Sequence, residues 1–170
     1  LSEKSIDFLW VNRFADNRTP EIPIKALLKL KGKYSFKAVF LGDISNEYSY
    51  LNKYKEFSIY KYRDPKDFYN ISKFFVGSGP RYFGNNALIE AMNNGLIPIV
   101  NNSENITEII DNKINGFICE NNVASFSEQL IFALNLRKKN IDNLSDLASK
   151  KISKNFSNTL WEKKIDHLLS

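Results

Sequence analysis

Cysteine and histidine are almost missing from this chain: Cys119 and His167 are their only representatives in 170 residues. A single cysteine excludes an internal disulfide framework and fits a reducing compartment. Within Gly116-Phe117-Ile118-Cys119 it reads as a small buried strand residue. One histidine near the C-terminus cannot build a metal cluster, so no metal is expected. Equally absent are a Walker A lysine motif, a G-x-G-x-x-G fingerprint and a G-x-S-x-G elbow. Gly77-Ser78-Gly79 follows a strand-like run, but the next helix begins too late and the third glycine is missing. No long uncharged apolar run occurs, which leaves no predicted transmembrane helix. No secretory leader is visible, and Leu1 in place of Met reads as the start of an excised domain. Internal repeats, low-complexity tracts and linkers are absent too.

What is present describes a globular domain. An apolar content of 43% in 170 residues is enough for one good core, so a single domain over 1–170 is expected. The formal net charge is +5, which suits anionic partners. The lysines are scattered, however. Lys29, Lys31 and Lys33 follow one helical stretch and Lys138-Lys139 another, positions where helix C-termini favour cations. Nucleic-acid binding needs a basic face with stacking aromatics, and none is expected here. Peripheral contact with an anionic membrane surface stays open.

Strand-like and helix-like runs alternate along the chain. Strands are predicted at 6–11, 36–41, 57–60, 74–76, 96–100 and 117–119, each a short apolar run bounded by turn residues. Helices are predicted at 22–30, 46–54, from 64, at 85–94, 105–110 and 122–137, with two more at 140–151 and 157–169. Pro65 suits a first helical turn. The alternation implies an α/β fold, a Rossmann-like, doubly wound, mostly parallel sheet. Its ligand site would lie outside the carboxyl ends of the strands, where 12–19, Gly42, 60–63, 77–85 and 101–105 converge. The last helix would carry an apolar face of Leu160, Trp161, Ile165, Leu168 and Leu169. This face either packs on its own domain or awaits a partner.

Residues 79–100, GPRYFGNNALIEAMNNGLIPIV, carry the most chemistry. Ala87, Leu88, Ala91 and Met92 form an apolar helical stripe, and Gly95 stands where a C′ glycine belongs. Gly84 permits close backbone approach at the helix start, where unpaired N–H groups and about half a positive charge attract anions. Glu90 falls one turn further in, on the face of Asn86. A carboxylate there can accept hydrogen bonds from two neighbouring hydroxyls while a diphosphate occupies the helix end. That combination points to a nucleotide.

The segment Glu90-Ala91-Met92 with Gly95 and Pro98 resembles the donor-binding run of the family 4, or group 1, glycosyltransferases of the GT-B fold. Two other stretches share the likeness in the right order, Val11-Asn12-Arg13-Phe14 and the run from Glu108 to Phe117, so it spans about residues 6–137. The resemblance implies that this is one half of a GT-B enzyme, the donor-binding C-terminal domain, with helices 140–170 appended and an N-terminal acceptor domain outside this chain. It implies retaining, metal-independent transfer from a UDP-, GDP- or ADP-sugar to a glycan, lipid or protein acceptor, as in polysaccharide biosynthesis. The location would be cytoplasmic, extending to the inner membrane face. Arg13, Arg18 and Glu90 would carry the catalytic roles, with Arg18 replacing the family's usual lysine. Asn85, Asn86, Ala87 and Leu88 would surround the nucleotide at the helix start with Gly84, and Tyr60, Tyr62 and Arg63 would lie by the base. One departure stands out. The family's first Glu of Glu-x7-Glu is replaced by Tyr82, or by Arg81 if the Phe83-Gly84 pair is aligned. That loss motivates a non-catalytic binding or partner subunit as an alternative, beside a GT-B-type nucleotide-sugar epimerase.

Overall fold

Runs such as FLWV, AVFL, FFV and IPIV are apolar at every position, so a strand made from them must be covered on both faces. The structure, a computed structural model, describes residues 4–11, 20–42, 46–61, 63–79 and 86–155. Its strands are β1 (Ile6–Val11), β2 (Ala38–Leu41), β3 (Phe57–Tyr60), β4 (Ser72–Gly77), β5 (Ile97–Asn101) and β6 (Phe117–Cys119). The helices are α1 (Glu21–Leu30), α2 (Lys66–Tyr69), α3 (Asn86–Asn93), α4 (Ile106–Ile109), α5 (Val123–Leu134) and α6 (Lys138–Asn155). A 3₁₀ segment occupies Asn46–Lys53. The strands form one parallel sheet in the order β3-β2-β1-β4-β5-β6. This is the 3-2-1-4-5-6 order of dinucleotide-binding sheets, so the expected Rossmann-like fold is observed.

Strand alternation divides the core in two. Phe8, Trp10, Ala38, Phe40, Phe74, Val76, Ile97 and Ile99 face α1 and α5, which supply Ile24, Leu27, Phe126 and Leu130. Leu9, Val11, Val39, Leu41, Phe75 and Val100 face the other layer, built from α2, α3, α4 and α6. Phe8 lies 5.8 Å from Phe74 between ring centroids, which links the two central strands through aromatic contact.

The end of α3 is fixed by a Schellman motif. Leu96 N–H donates to Ala91 O at 3.0 Å and Gly95 N–H to Met92 O at 2.9 Å. Gly95 takes φ +73°, and a Cβ there would stand 2.7 Å from Ser145 Oγ. α6 closes over this corner: Ser145 Oγ donates to Gly95 O at 2.6 Å and Ser149 Oγ to Asn93 O at 3.2 Å. Lys4 Nζ reaches the same Gly95 carbonyl at 3.0 Å, a cation placed at the negative end of α3.

Two expected elements come out differently. The α-helix expected at 46–54 is a 3₁₀ segment. Its Asn and Ser residues compete with helical backbone bonds, and Leu51 is its fully buried anchor among the described side chains. Asn52 Oδ1 instead accepts from Ile59 N–H at 3.0 Å, tying the segment to β3. The helix expected at 140–151 extends over Lys138–Asn155. Leu144, Ala148 and Ile152 give it a buried stripe at i, i+4 and i+8, and the polar flanks hid its true ends. No described helix is long and apolar enough to cross a membrane. The predicted helix at 157–169, with Trp161 and His167, lies outside the described residues.

Candidate functional site

Register aligns the carboxyl ends of the strands in a row. Tyr60 pairs with Leu41, Leu41 with Val11, Gly77 with Val100, and Asn101 with Cys119. Strand order reverses between β1 and β4, and in doubly wound sheets the ligand crevice opens at that point. The chain leaves β1 at Val11 toward residues 12–19 and leaves β4 at Gly77 toward 80–85. Both exits therefore flank the switch point.

Asn101, 1% exposed at the end of β5, holds the β4 exit. Its Oδ1 accepts from Gly79 N–H at 2.9 Å, and its Nδ2 donates to Gly79 O at 2.9 Å and to Asn102 O at 3.1 Å. One side-chain amide thus satisfies both backbone groups of Gly79, as a neighbouring strand would. No signal in the sequence marked this role, since the partners are far apart in the chain. Among the described residues Ser103 Oγ, two residues further on, is buried without a hydrogen-bond partner. Asn105 follows with φ +62°, a left-handed conformation that asparagine tolerates better than most residues.

α3 presents the predicted carboxylate. Leu88, Ala91 and Met92 are buried, while Asn86 and Glu90 are exposed on the opposite face. The Leu88 side chain is fully buried in the core. Glu90 is not an isolated surface charge. The Tyr69 hydroxyl, from α2, donates to Glu90 Oε2 at 3.3 Å and lies 3.5 Å from Ala87 O. Tyr69 is 1% exposed. Burial, and next the Glu90 carboxylate, hold its phenol well above the ordinary value, so it keeps its proton at any physiological pH. Sequence reasoning missed this tyrosine because only the α2–α3 contact makes it relevant.

On the β3 side, Tyr60 packs against Phe68 with ring centroids 5.5 Å apart, and the Arg63 guanidinium carbon lies 5.0 Å from the Tyr60 ring centre. The expected base-side pair, Tyr60 and Arg63, is thus brought together. β3 is three strands from β4, about 14 Å at ordinary strand spacing. Arg13, Arg18, Tyr62, Arg81, Tyr82, Gly84 and Asn85 lie outside the described residues. Cys119 is buried at the end of β6, its Sγ 3.3 Å from Val100 O, and burial pushes its thiol up to about 12. That is the state of an inert packing thiol. Among the described residues no group of three or more His, Cys, Asp or Glu could hold a metal. A shallow cavity of about 500 Å³ opens at the opposite, amino end of β2 and β3, beside Tyr34 and Glu56, and contains none of the candidate site residues.

Comparison with known proteins agrees with this geometry. No curated protein sequence matches the chain. Among solved structures, a glycosyltransferase from Rickettsia africae superposes with a TM-score of 0.82 at 21% identity, covering 98% of this chain and 47% of that one. HepE of Anabaena, solved with UDP and glucose, gives a TM-score of 0.82 at 15% identity over 98% of this chain and 48% of its own. Sucrose-phosphate synthase from Thermosynechococcus elongatus gives 0.79 at 15% identity, over 99% and 46%. These likenesses show the fold, one half of the GT-B architecture, and the chain spans about half the length of these solved relatives. The model of the family described as "Glycosyl transferases group 1" matches residues 1–151. The chain belongs to the group 1 glycosyl transferases.

Proposed function

We propose that this domain binds a nucleoside diphosphate sugar at the carboxyl end of its sheet and supplies the donor half of a retaining, metal-independent glycosyl transfer. The observation that carries the reading is Glu90: an exposed carboxylate one turn into α3, the helix that follows β4, hydrogen-bonded by a buried phenol. A ribose diol would donate to that carboxylate while the diphosphate lies at the amino end of α3, where the helix dipole favours negative charge. Arg13 and Arg18 follow β1 in the chain and would offset the charge that builds on the leaving diphosphate as the glycosidic bond breaks. The base would lie toward Tyr60, Tyr62 and Arg63. HepE of Anabaena, which shares this fold, was solved with UDP, and that supports a nucleotide as the ligand. The unpartnered Ser103 hydroxyl is consistent with a site that is completed on binding. The acceptor, whether glycan, lipid or protein, would dock on a second domain at the cytoplasmic side of the membrane.

Protein-observed NMR with UDP, GDP, ADP and their sugar conjugates tests this reading. Saturable shifts with one nucleotide are expected around α3 and the β4 exit, and folded Glu90→Ala and Arg18→Ala variants should lose them. Equal titration by wild type and both variants would refute the assignment. One observation favours a second reading. The position eight residues before Glu90 is Tyr82, not the family's glutamate, which suits a subunit that binds nucleotide without turning it over. Transfer activity in the chain joined to its acceptor domain would dismiss that reading.

A further inference from the structure

The hydroxyl of Tyr69 is spent on Glu90, although burying the ring would have been served as well by phenylalanine. The ring sits in the core layer with Phe75, Leu88 and Met92, so it cannot move without disturbing α3. Its oxygen is held over the first turn of that helix, 3.3 Å from Glu90 Oε2 and 3.5 Å from Ala87 O. A glutamate on an exposed helix face otherwise samples many rotamers, and ordering it on binding costs free energy. A phenol O–H takes one lone-pair site of Oε2 and leaves Oε1 and the second Oε2 site available.

We propose that Tyr69 is a positioning residue that presents the Glu90 carboxylate, already oriented, to the two ribose hydroxyls of the bound nucleotide. This rests on the donor-site reading of Glu90. Tyr69 touches no substrate; it acts through Glu90, and the property it sets is the preference for ribose over deoxyribose. A tyrosine placed only for packing would affect both sugars alike.

Calorimetry on the 170-residue chain, with UDP, GDP and ADP and with their 2′-deoxy counterparts, separates the two roles. Wild type should favour the ribonucleotide. Tyr69→Phe should lower that preference by about two- to tenfold, the factor for ordering one rotamer-rich side chain, while affinity for the 2′-deoxy form stays the same. An equal loss for both forms, or an unchanged ribose preference, overturns the positioning role and leaves the donor site standing. Equal binding of both forms by wild type, or no nucleotide binding, removes Glu90 from the ribose and takes both readings down together. Should Tyr69→Phe fail to fold, wild type labelled with ¹³C at the tyrosine ζ carbon carries the test. The Tyr69 signal should move in Glu90→Gln and again when ribonucleotide is added, and a static signal overturns the proposal.

Discussion

Removing the Asn101 amide tests how the β4 exit is held. Asn101→Ala deletes three hydrogen bonds, two to Gly79 and one to Asn102. Gly79 is half-buried, so its stranded N–H and C=O each cost about 1 kcal/mol, the low end of the range for an unsatisfied group. The vacated side-chain space at a fully enclosed position adds about 1 kcal/mol. The expected loss is therefore about 3 kcal/mol in urea denaturation, with an unchanged m-value. Asn101→Asp separates the accepting half of the amide from its donating half. The new carboxyl still accepts from Gly79 N–H, yet when ionised it faces the Gly79 and Asn102 carbonyls in a buried site. Its folded pKa should rise above the ordinary carboxylate value. The stability of that variant is then retained below the ordinary value and lost as pH rises through the raised one. Asn101→Asp should thus be the worse variant at pH 7 and recover toward wild type near pH 4, where the protonated acid donates again. A loss under about 0.5 kcal/mol for Asn101→Ala, or no acid recovery for Asn101→Asp, would refute the clamp.

Three further outcomes are expected. Gly95→Ala meets both a φ of +73° and a 2.7 Å approach to Ser145 Oγ, and thermal unfolding should register a loss of about 1–3 kcal/mol; a Ser145→Ala background should return part of it. Gly116→Ala would drive a Cβ into the Pro98 ring at Cγ and to 3.0 Å from Pro98 O, which should cost at least about 2 kcal/mol by the same measurement, and a neutral result would contradict the close approach of β5 to Gly116. The Cys119 thiol is held at about 12 against an ordinary 9.0, so its contribution is full below pH 9 and lost as pH rises toward 12. Between pH 8 and 10.5 wild type should lose about 2 kcal/mol more than Cys119→Ala, and parallel pH profiles for the two would show the thiol to be unperturbed.

Much of the fold was legible because each strand is a short apolar run ending at a turn residue, and α3 was framed by its apolar stripe and Gly95. The 3₁₀ segment was not, since helical spacing among Tyr48, Leu51 and Tyr54 does not distinguish a tight helix from an α-helix. Site chemistry divides the same way. Glu90 was visible through the run around it, whereas Tyr69 and Asn101 look like ordinary core and turn residues. Their roles come from pairing with residues on other elements, Glu90 and Gly79, and no local pattern encodes such a contact.

The strand register also orders the folding problem. Phe8 meets Ala38 in β2 but must reach Phe74 in β4, a far longer loop than any other neighbouring pair of strands has to close. Loop-closure entropy makes that joint the costliest to close. Each half of the sheet can assemble by short crossovers, and the two then meet along β1 and β4. The crevice assigned to the nucleotide opens over this same joint. A donor bridging the two exits would therefore act as a kinetic clasp, slowing the separation of the halves and hence global unfolding, beyond any ordering of the loops it touches.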